Sequence, residues 1–174
     1  RLISADAKEE INILGYPDGS RNDLLKNFSA QISRKLNTSF KASFSFGYAE
    51  RVPTGSELYG FYLFNSQDNF DYIGNPQLLN ETSFQAEGSL VFHKAANRFQ
   101  LTAYYKNIQN YITGLIDPAL TSMTIGSNGV KSYINIPGAN LKGIELSAVL
   151  NQAKYWQFVS TLRYTYGRTN ENEP

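Results

Sequence analysis

The 174-residue sequence predicts an all-β chain, a section of an antiparallel up-and-down transmembrane β-barrel with about seven strands. Three observations carry this expectation. Bulky apolar residues recur on one parity of each candidate strand, short and long connections alternate, and aromatic residues collect at two levels along the strands. A side-chain period of two defines a strand with two unlike faces. Short turns on one side and long loops on the other are the layout of an outer-membrane barrel.

The first candidate strand is a stub at 1–12, followed by a polar connection at 13–23. Residues 24–36 then place Phe28, Ala30 and Ile32 on the outward parity and Asn27, Ser29, Gln31 and Ser33 on the inward one. A tight turn at Leu36–Asn37 leads to 38–48, the clearest strand. There Phe40, Ala42, Phe44, Phe46 and Tyr48 alternate with Ser39, Lys41, Ser43 and Ser45. Lys41 fixes the parity, because a lysine facing lipid at mid-membrane costs roughly 2–4 kcal/mol. A long connection spans 49–80, after which 82–94 presents Phe84, Ala86, Gly88, Leu90 and Phe92 on one face. Gln85, Glu87, Ser89 and His93 take the other. The turn at Ala95–Asn97 leads to 98–112, a second long connection covers 114–133, and the strands 136–151 and 155–168 are joined by a turn at Gln152–Lys154. Ile144, Leu146, Ala148 and Leu150 face out with Trp156, Phe158, Leu162, Tyr164 and Tyr166, while Glu145 and Arg163 point inward.

Composition narrows the function. Cysteine is absent, which removes disulfides, thiolate metal sites and cysteine nucleophiles. A formal charge of +1 with scattered lysines and arginines offers no field for nucleic acid. No apolar run is long enough for a helical span, and a negative mean hydropathy is what a barrel with a polar lumen shows. The ends RLISADAKEE and RTNENEP read as cuts within a longer protein. The alternative fold is a soluble β-sandwich, in which the apolar face is buried against a second sheet.

Four segments carry a family resemblance: RVPTGSELYG at 51–60, IGNPQLLNETSFQAEGSL at 73–90, LTAYYKNIQNYI at 101–112 and YINIPGANLKGIELSA at 133–148. In this order and parity they resemble the C-terminal barrel of TonB-dependent outer-membrane receptors, from about Leu24 onward. The resemblance implies a barrel of about 22 strands, closed by an N-terminal plug and placed in the bacterial outer membrane. Such a receptor imports a scarce nutrient, foremost an iron siderophore or other metal chelate, with a cobalamin-like or carbohydrate ligand as the alternative. Its partners are outer-membrane lipid, the small-molecule or chelate ligand, and TonB, which acts through a plug and TonB box outside these residues.

Candidate ligand contacts lie in the 49–80 connection, where Tyr59, Tyr62, Phe64, Asp68, Asp71 and Tyr72 mix rings with polar groups. The motif residues have architectural readings. Pro53 ends a strand, Thr54 or Ser56 caps a helical turn, Arg51 pairs with a carboxylate, and Glu57 belongs to the same motif. Gly74, Asn75 and Pro76 form a turn in which Gly74 supplies an unusual backbone angle. Gly143 permits close approach of a neighbouring group, and Glu145 joins an internal charge network. A lone His93 and a lone Met123 assemble neither a catalytic constellation nor a metal cluster, so no catalytic residue, cofactor or protein-built metal site is expected. Three other functions compete with transport: a barrel-wall docking module, an outer-membrane barrel hydrolase and a soluble β-sandwich binding domain.

The parity argument predicts solution behaviour. Without detergent the isolated 174-residue chain aggregates or self-associates, because its apolar face has no cover in water. Light scattering checks this, and a monodisperse monomer in plain buffer contradicts it.

Overall fold

A computed structural model describes residues 22–153 and 156–170. The expected stub at 1–12 and most of the 13–23 connection lie outside them. The elements in order are β1 (Asn27–Lys35), β2 (Phe40–Arg51), α1 (Gly55–Tyr59), β3 (Leu63–Asn65), β4 (Phe70–Ile73), β5 (Glu81–Lys94), β6 (Asn97–Ile116), β7 (Val130–Ala153) and β8 (Trp156–Thr169). They form an eight-stranded sheet ordered β1-β2-β5-β6-β7-β4-β3, with β8 also pairing to β7. The chain is thus a section of a transmembrane β-barrel, and its six long strands are those the alternation predicts.

Two departures concern the connections. The 49–80 segment holds α1 and a small hairpin, β3 with β4, and β4 then pairs in parallel with β7 through Asp71–Val130, Tyr72–Lys131 and Ile73–Ser132. The strands β6 and β7 also run further than expected, so the second loop shrinks to 117–129. The added residues mix apolar side chains, Leu115, Ile116, Val130 and Ile134 among them, with polar ones, so no change in composition marks where the ladder ends. The residues group into a strand unit (26–50, 82–109, 137–153 and 156–170) and a loop unit (22–25, 51–81 and 110–136).

In the strand unit the registers are regular: β1 pairs antiparallel with β2, β5 with β6, and β7 with β8. The turns are as short as the sequence requires. Ala95, in a left-handed conformation at φ 53°, makes the two-residue connection from β5 to β6. Asn37 closes the turn between β1 and β2, its Oδ1 accepting from the backbone N–H of Ser39 and Phe40 at 2.8 and 2.9 Å.

Among the described residues the apolar parity has no covering layer. Phe44, Leu146 and Leu162 are 51%, 48% and 71% exposed, which excludes the sandwich, where they would be core. Cross-strand pairs put like with like on this face, among them Leu90 with Leu101, Phe92 with Phe99 and Leu146 with Leu162. Near the short turns the rings of Phe40, Phe92 and Phe99 follow one another, with centroids 4.7 and 6.2 Å apart. At the other level the face turns polar. The Tyr105 hydroxyl and Asn107 Nδ2 both donate to Asn140 Oδ1 at 2.7 Å. Lys142, on the same parity, lays its ammonium 5.5 Å from the Tyr166 ring centroid. A lysine reaching to the interface over an aromatic belt marks one edge of the hydrocarbon layer.

The opposite face holds Glu145 and Arg163 directly across the β7–β8 ladder, with Arg163 Nε donating to Glu145 Oε2 at 2.7 Å. Two positions away, Tyr104 lies across Gly143. Its hydroxyl shares a 2.6 Å hydrogen bond with Thr165, the residue paired with Gly143, and a Cβ on Gly143 would stand 2.5 Å from that hydroxyl. Gly143 is therefore required for the close approach of a neighbouring tyrosine.

Parity gives a paired prediction for the protein refolded in lipid. Leu146→Arg costs about 2–4 kcal/mol in a urea titration, and Ser147→Arg, one residue along and on the polar face, costs much less. Equal losses at the two positions would contradict the assignment of faces.

Candidate functional site

The loop unit is organised by polar bonding more than by its small core. Leu58, Leu78 and Ile112 form that core, with Tyr59 and Tyr133 packed on it. The helix α1 starts at a capping box. Thr54 Oγ1 accepts from Glu57 N–H at 3.3 Å, and Glu57 Oε2 accepts from Thr54 N–H at 2.6 Å. Arg51 leaves β2 just before the buried Pro53 and bridges two carboxylates. Its Nη1 and Nη2 donate to Glu57 at 2.8 and 3.2 Å, and its Nε donates to Glu81 at 2.7 Å. Glu81 is buried, and its second oxygen accepts from Ile112 N–H at 2.8 Å. The Glu81 hydrogen bond is the main reason that the Arg51 guanidinium is held more firmly protonated than usual. Burial pushes the Glu57 carboxyl up, and Arg51 with the Thr54 N–H outweighs it, leaving a net downward shift.

The end of α1 explains the Gly-Asn-Pro turn. Gly74 N–H donates to Gly60 O at 2.7 Å and Asn75 N–H donates to Glu57 O at 2.8 Å, which satisfies carbonyls at the helix end. A Cβ on Gly74 would lie 2.6 Å from the backbone of Leu58, Tyr59 and Gly60. Close packing, and not the unusual backbone angle expected from the sequence, is what requires glycine here: the left-handed glycines among the described residues are Gly126 and Gly129. Asn75 does more than turn the chain. Its Nδ2 donates to Tyr133 O at 3.2 Å and its Oδ1 accepts from Gln77 N–H at 2.9 Å, while the half-buried Pro76 follows.

Asp71 ties the two loops together. It is fully buried, and its Oδ2 accepts from the N–H groups of Met123 and Thr124 at 2.9 and 3.0 Å. Its own N–H donates to Gly129 O at 3.0 Å. Burial raises its carboxyl, and the Thr124 and Met123 N–H groups more than reverse this, holding it below the usual carboxylate range. Asp68 makes a second tie: it accepts from Lys131 Nζ and from the Tyr72 hydroxyl, both at 2.7 Å. The Lys131 ammonium also lies 4.3 Å from the Phe70 ring centroid. Burial raises the Asp68 carboxyl, and Lys131 and Tyr72 pull it below its ordinary value. The hydrogen bond to Asp68 raises Lys131 in turn.

These ties enclose a cleft of about 790 Å³. Phe61, Tyr62, Leu120, Met123 and Tyr133 line it together with Asn75 and the polar residues Thr121, Ser122 and Ser132. Tyr62 sits in the left-handed region at φ 48°, rare for an aromatic residue, and its ring meets Phe61 edge-on at 4.9 Å.

Of the residues expected to meet a ligand, Tyr62 reaches the cleft. Tyr59 packs on the core, Tyr72 stacks 5.0 Å from Tyr133 and bonds Asp68, and Phe64 stands exposed on β3 outside the cleft. Asp68 and Asp71 are engaged in loop ties, and Asp71 is fully buried outside the cleft lining. Tyr133 and the 120–123 segment were missed. Leu120 and Met123, two apolar side chains in an otherwise small and polar loop, were the available signal.

A paired antiparallel strand unit with an exposed apolar parity defines a protein of the transmembrane β-barrel class. The model of the TonB dependent receptor-like β-barrel family matches residues 11–174, and the chain belongs to that family. Among solved structures it is similar to the siderophore receptor PirA from Pseudomonas aeruginosa, with 19% identity and a TM-score of 0.66, covering 83% of this chain and 28% of that one. It is similar to the copper transporter OprC, with 20% identity and a TM-score of 0.66, over 86% of this chain and 21% of that one. The ferric enterobactin receptor PfeA from Pseudomonas aeruginosa, solved with enterobactin, matches at 18% identity and a TM-score of 0.61, over 80% and 22%. The chain therefore spans between a fifth and under a third of the length of these proteins.

The Asp68–Lys131 tie carries a pH prediction. A depressed Asp pKa gives stability that is complete above the ordinary Asp range and is lost as pH falls through the depressed value. A raised Lys pKa gives stability that is lost as pH rises through the raised value. Between these limits the backbone amides of Asp71 and Asn128 are protected from hydrogen exchange in the full-length receptor, and their protection factors, taken against the intrinsic rate at each pH, fall on acidification. Lys131→Met weakens the acid dependence, part of which remains because Tyr72 still bonds Asp68 and Asp71 keeps its own partners, at a cost of about 1 kcal/mol or less.

Proposed function

We propose that the chain is the ligand-receiving part of an outer-membrane receptor for TonB-dependent uptake of a scarce nutrient, foremost a ferric siderophore or other metal chelate. The observation that carries this reading is the cleft itself. In a protein of the receptor family, two long loops are cross-tied around an aromatic-lined cavity large enough for a small organic chelate. The neighbours support the class of cargo, since one is described as a siderophore receptor, one as a ferric enterobactin receptor and a third as a copper transporter.

In this reading the apolar face of the strand unit meets lipid, and the loops capture the chelate on the outer side. Release into the periplasm follows when TonB draws on a plug domain contributed by the rest of the receptor. Capture by pre-ordered loops keeps the entropy lost on binding small. Tyr62 and Met123 are the side chains assigned to ligand contact, and Asp71 and Asn75 position the segments that carry cleft-lining groups.

The test is uptake of radiolabelled ferric chelates by cells producing the full-length receptor. Accumulation requires both the receptor and TonB, and Tyr62→Ala with Met123→Ala weakens binding roughly tenfold or more without loss of folded protein. Equal accumulation with and without TonB would refute energised uptake.

A further inference from the structure

The cleft also narrows the charge of what it receives, an inference that rests on its being the capture site. None of the described residues lining it is Lys, Arg, His, Asp or Glu. The cations of the same loops are already neutralised. Lys131 is paired with Asp68 at 2.7 Å and covered by Phe70, and Arg51 is held between Glu57 and Glu81. What stands directly behind the lining is negative. Asp71 binds the backbone of Met123, and Asp117 Oδ2 accepts from Ser132 Oγ at 3.1 Å, both Met123 and Ser132 being cleft residues.

An anionic ligand entering this cleft gives up its hydration and finds no cation to replace it, with two carboxylates close by. An uncharged ligand meets rings, a thioether and the hydroxyls of Thr121 and Ser122, which can donate to or accept from carbonyl and hydroxamate oxygens. We infer that the receptor takes a chelate without net negative charge, of the ferric tris-hydroxamate kind, in which three singly charged donors neutralise Fe(III). A ferric tris-catecholate, whose doubly charged donors leave a strongly anionic complex, is disfavoured by the same wall.

The experiment measures binding of both chelates to the purified full-length receptor in detergent by fluorescence quenching, at low and at high salt. The uncharged tris-hydroxamate binds at least tenfold more tightly, and its affinity is unchanged by salt. Ser122→Arg, which sets a cation in the cleft, narrows or reverses the preference. Tighter binding of the tris-catecholate by the unaltered receptor, or a hydroxamate affinity that falls with salt, overturns the charge inference. If that catecholate binding still depends on Tyr62, the cleft remains the capture site and the charge assignment alone fails. Binding of neither chelate overturns both this inference and the chelate reading on which it rests.

Discussion

Inside hydrocarbon a backbone N–H or C=O without a partner costs several kcal/mol, and a charged side chain facing lipid costs a similar amount, so a crossing strand must be paired along its length and apolar on one parity. The strand unit obeys both conditions. Its registers run without a break from Asn27–Ala49 to Lys35–Lys41 and from Thr82–Gln109 to Lys94–Asn97. Between Arg34, Lys94 and Asn97 at the short-turn end and Asn107, Asn140 and Lys142 at the other, the outward parity is apolar apart from Ser160, and at the far level tyrosines take over the contacts. The polar parity is free to carry charge, and there the charges find each other, as Glu145 and Arg163 do across the ladder. Even the Gly143–Tyr104 contact follows, since a tyrosine can lie flat over a strand only where no Cβ stands in its way.

The loop unit solves a different problem. It has few buried apolar side chains, so hydrophobic burial at roughly 1.5–3 kcal/mol for each large residue cannot order two long connections alone. Hydrogen bonds to charged groups supply the rest, and each does so by joining segments distant in sequence. Arg51 joins the end of β2 to α1 and to Glu81, Glu81 joins β6, and Asp71 joins β4 to the Met123–Thr124 backbone. Such bonds to an ionised partner are about twice as strong as neutral ones. The left-handed Tyr62 fits this picture. A bulky residue in that conformation costs on the order of 1–3 kcal/mol and persists only where its surroundings fix it, which here places an aromatic ring on the cleft wall.

The strands were legible in the sequence because their constraint is local and repeats every two residues. Phe40 to Tyr48 or Ile144 to Leu150 state their own parity, and a single lysine in the pattern settles which side is wet. The helical turn was legible as well, since the capping spacing of Thr54 and Glu57 sits in one short segment. The loops were not. Nothing near Asp71 in the sequence says that its partners lie more than fifty residues away at Met123 and Thr124, or that Asp68 will find Lys131. Acidic and aromatic residues in a polar loop look alike whether they face a ligand or hold the loop together. Burial alone separates the two roles, and burial is a property of the assembled loops. Gly74 shows the same limit, because a glycine needed for packing and one needed for its backbone angle are identical letters.

Fold likeness also bears on where cargo is chosen. The siderophore receptor PirA and the copper transporter OprC match this chain at nearly the same identity and the same TM-score, although their descriptions assign them different cargoes. A wall that fits both equally well carries no information about cargo, as expected of a surface shaped by lipid and by its own ladder. Discrimination must then rest on groups the ladder does not constrain. In the loop unit those are the side chains that the ties at Arg51, Asp68, Asp71 and Asn75 leave facing the cleft, and their chemistry is aromatic, thioether and hydroxyl. The ties set the shape of that surface without contributing charge to it, because each cation among them is already matched to a carboxylate. Loop order and wall chemistry are thereby linked: the pairings that tie the loops together are the same ones that leave the cleft wall uncharged.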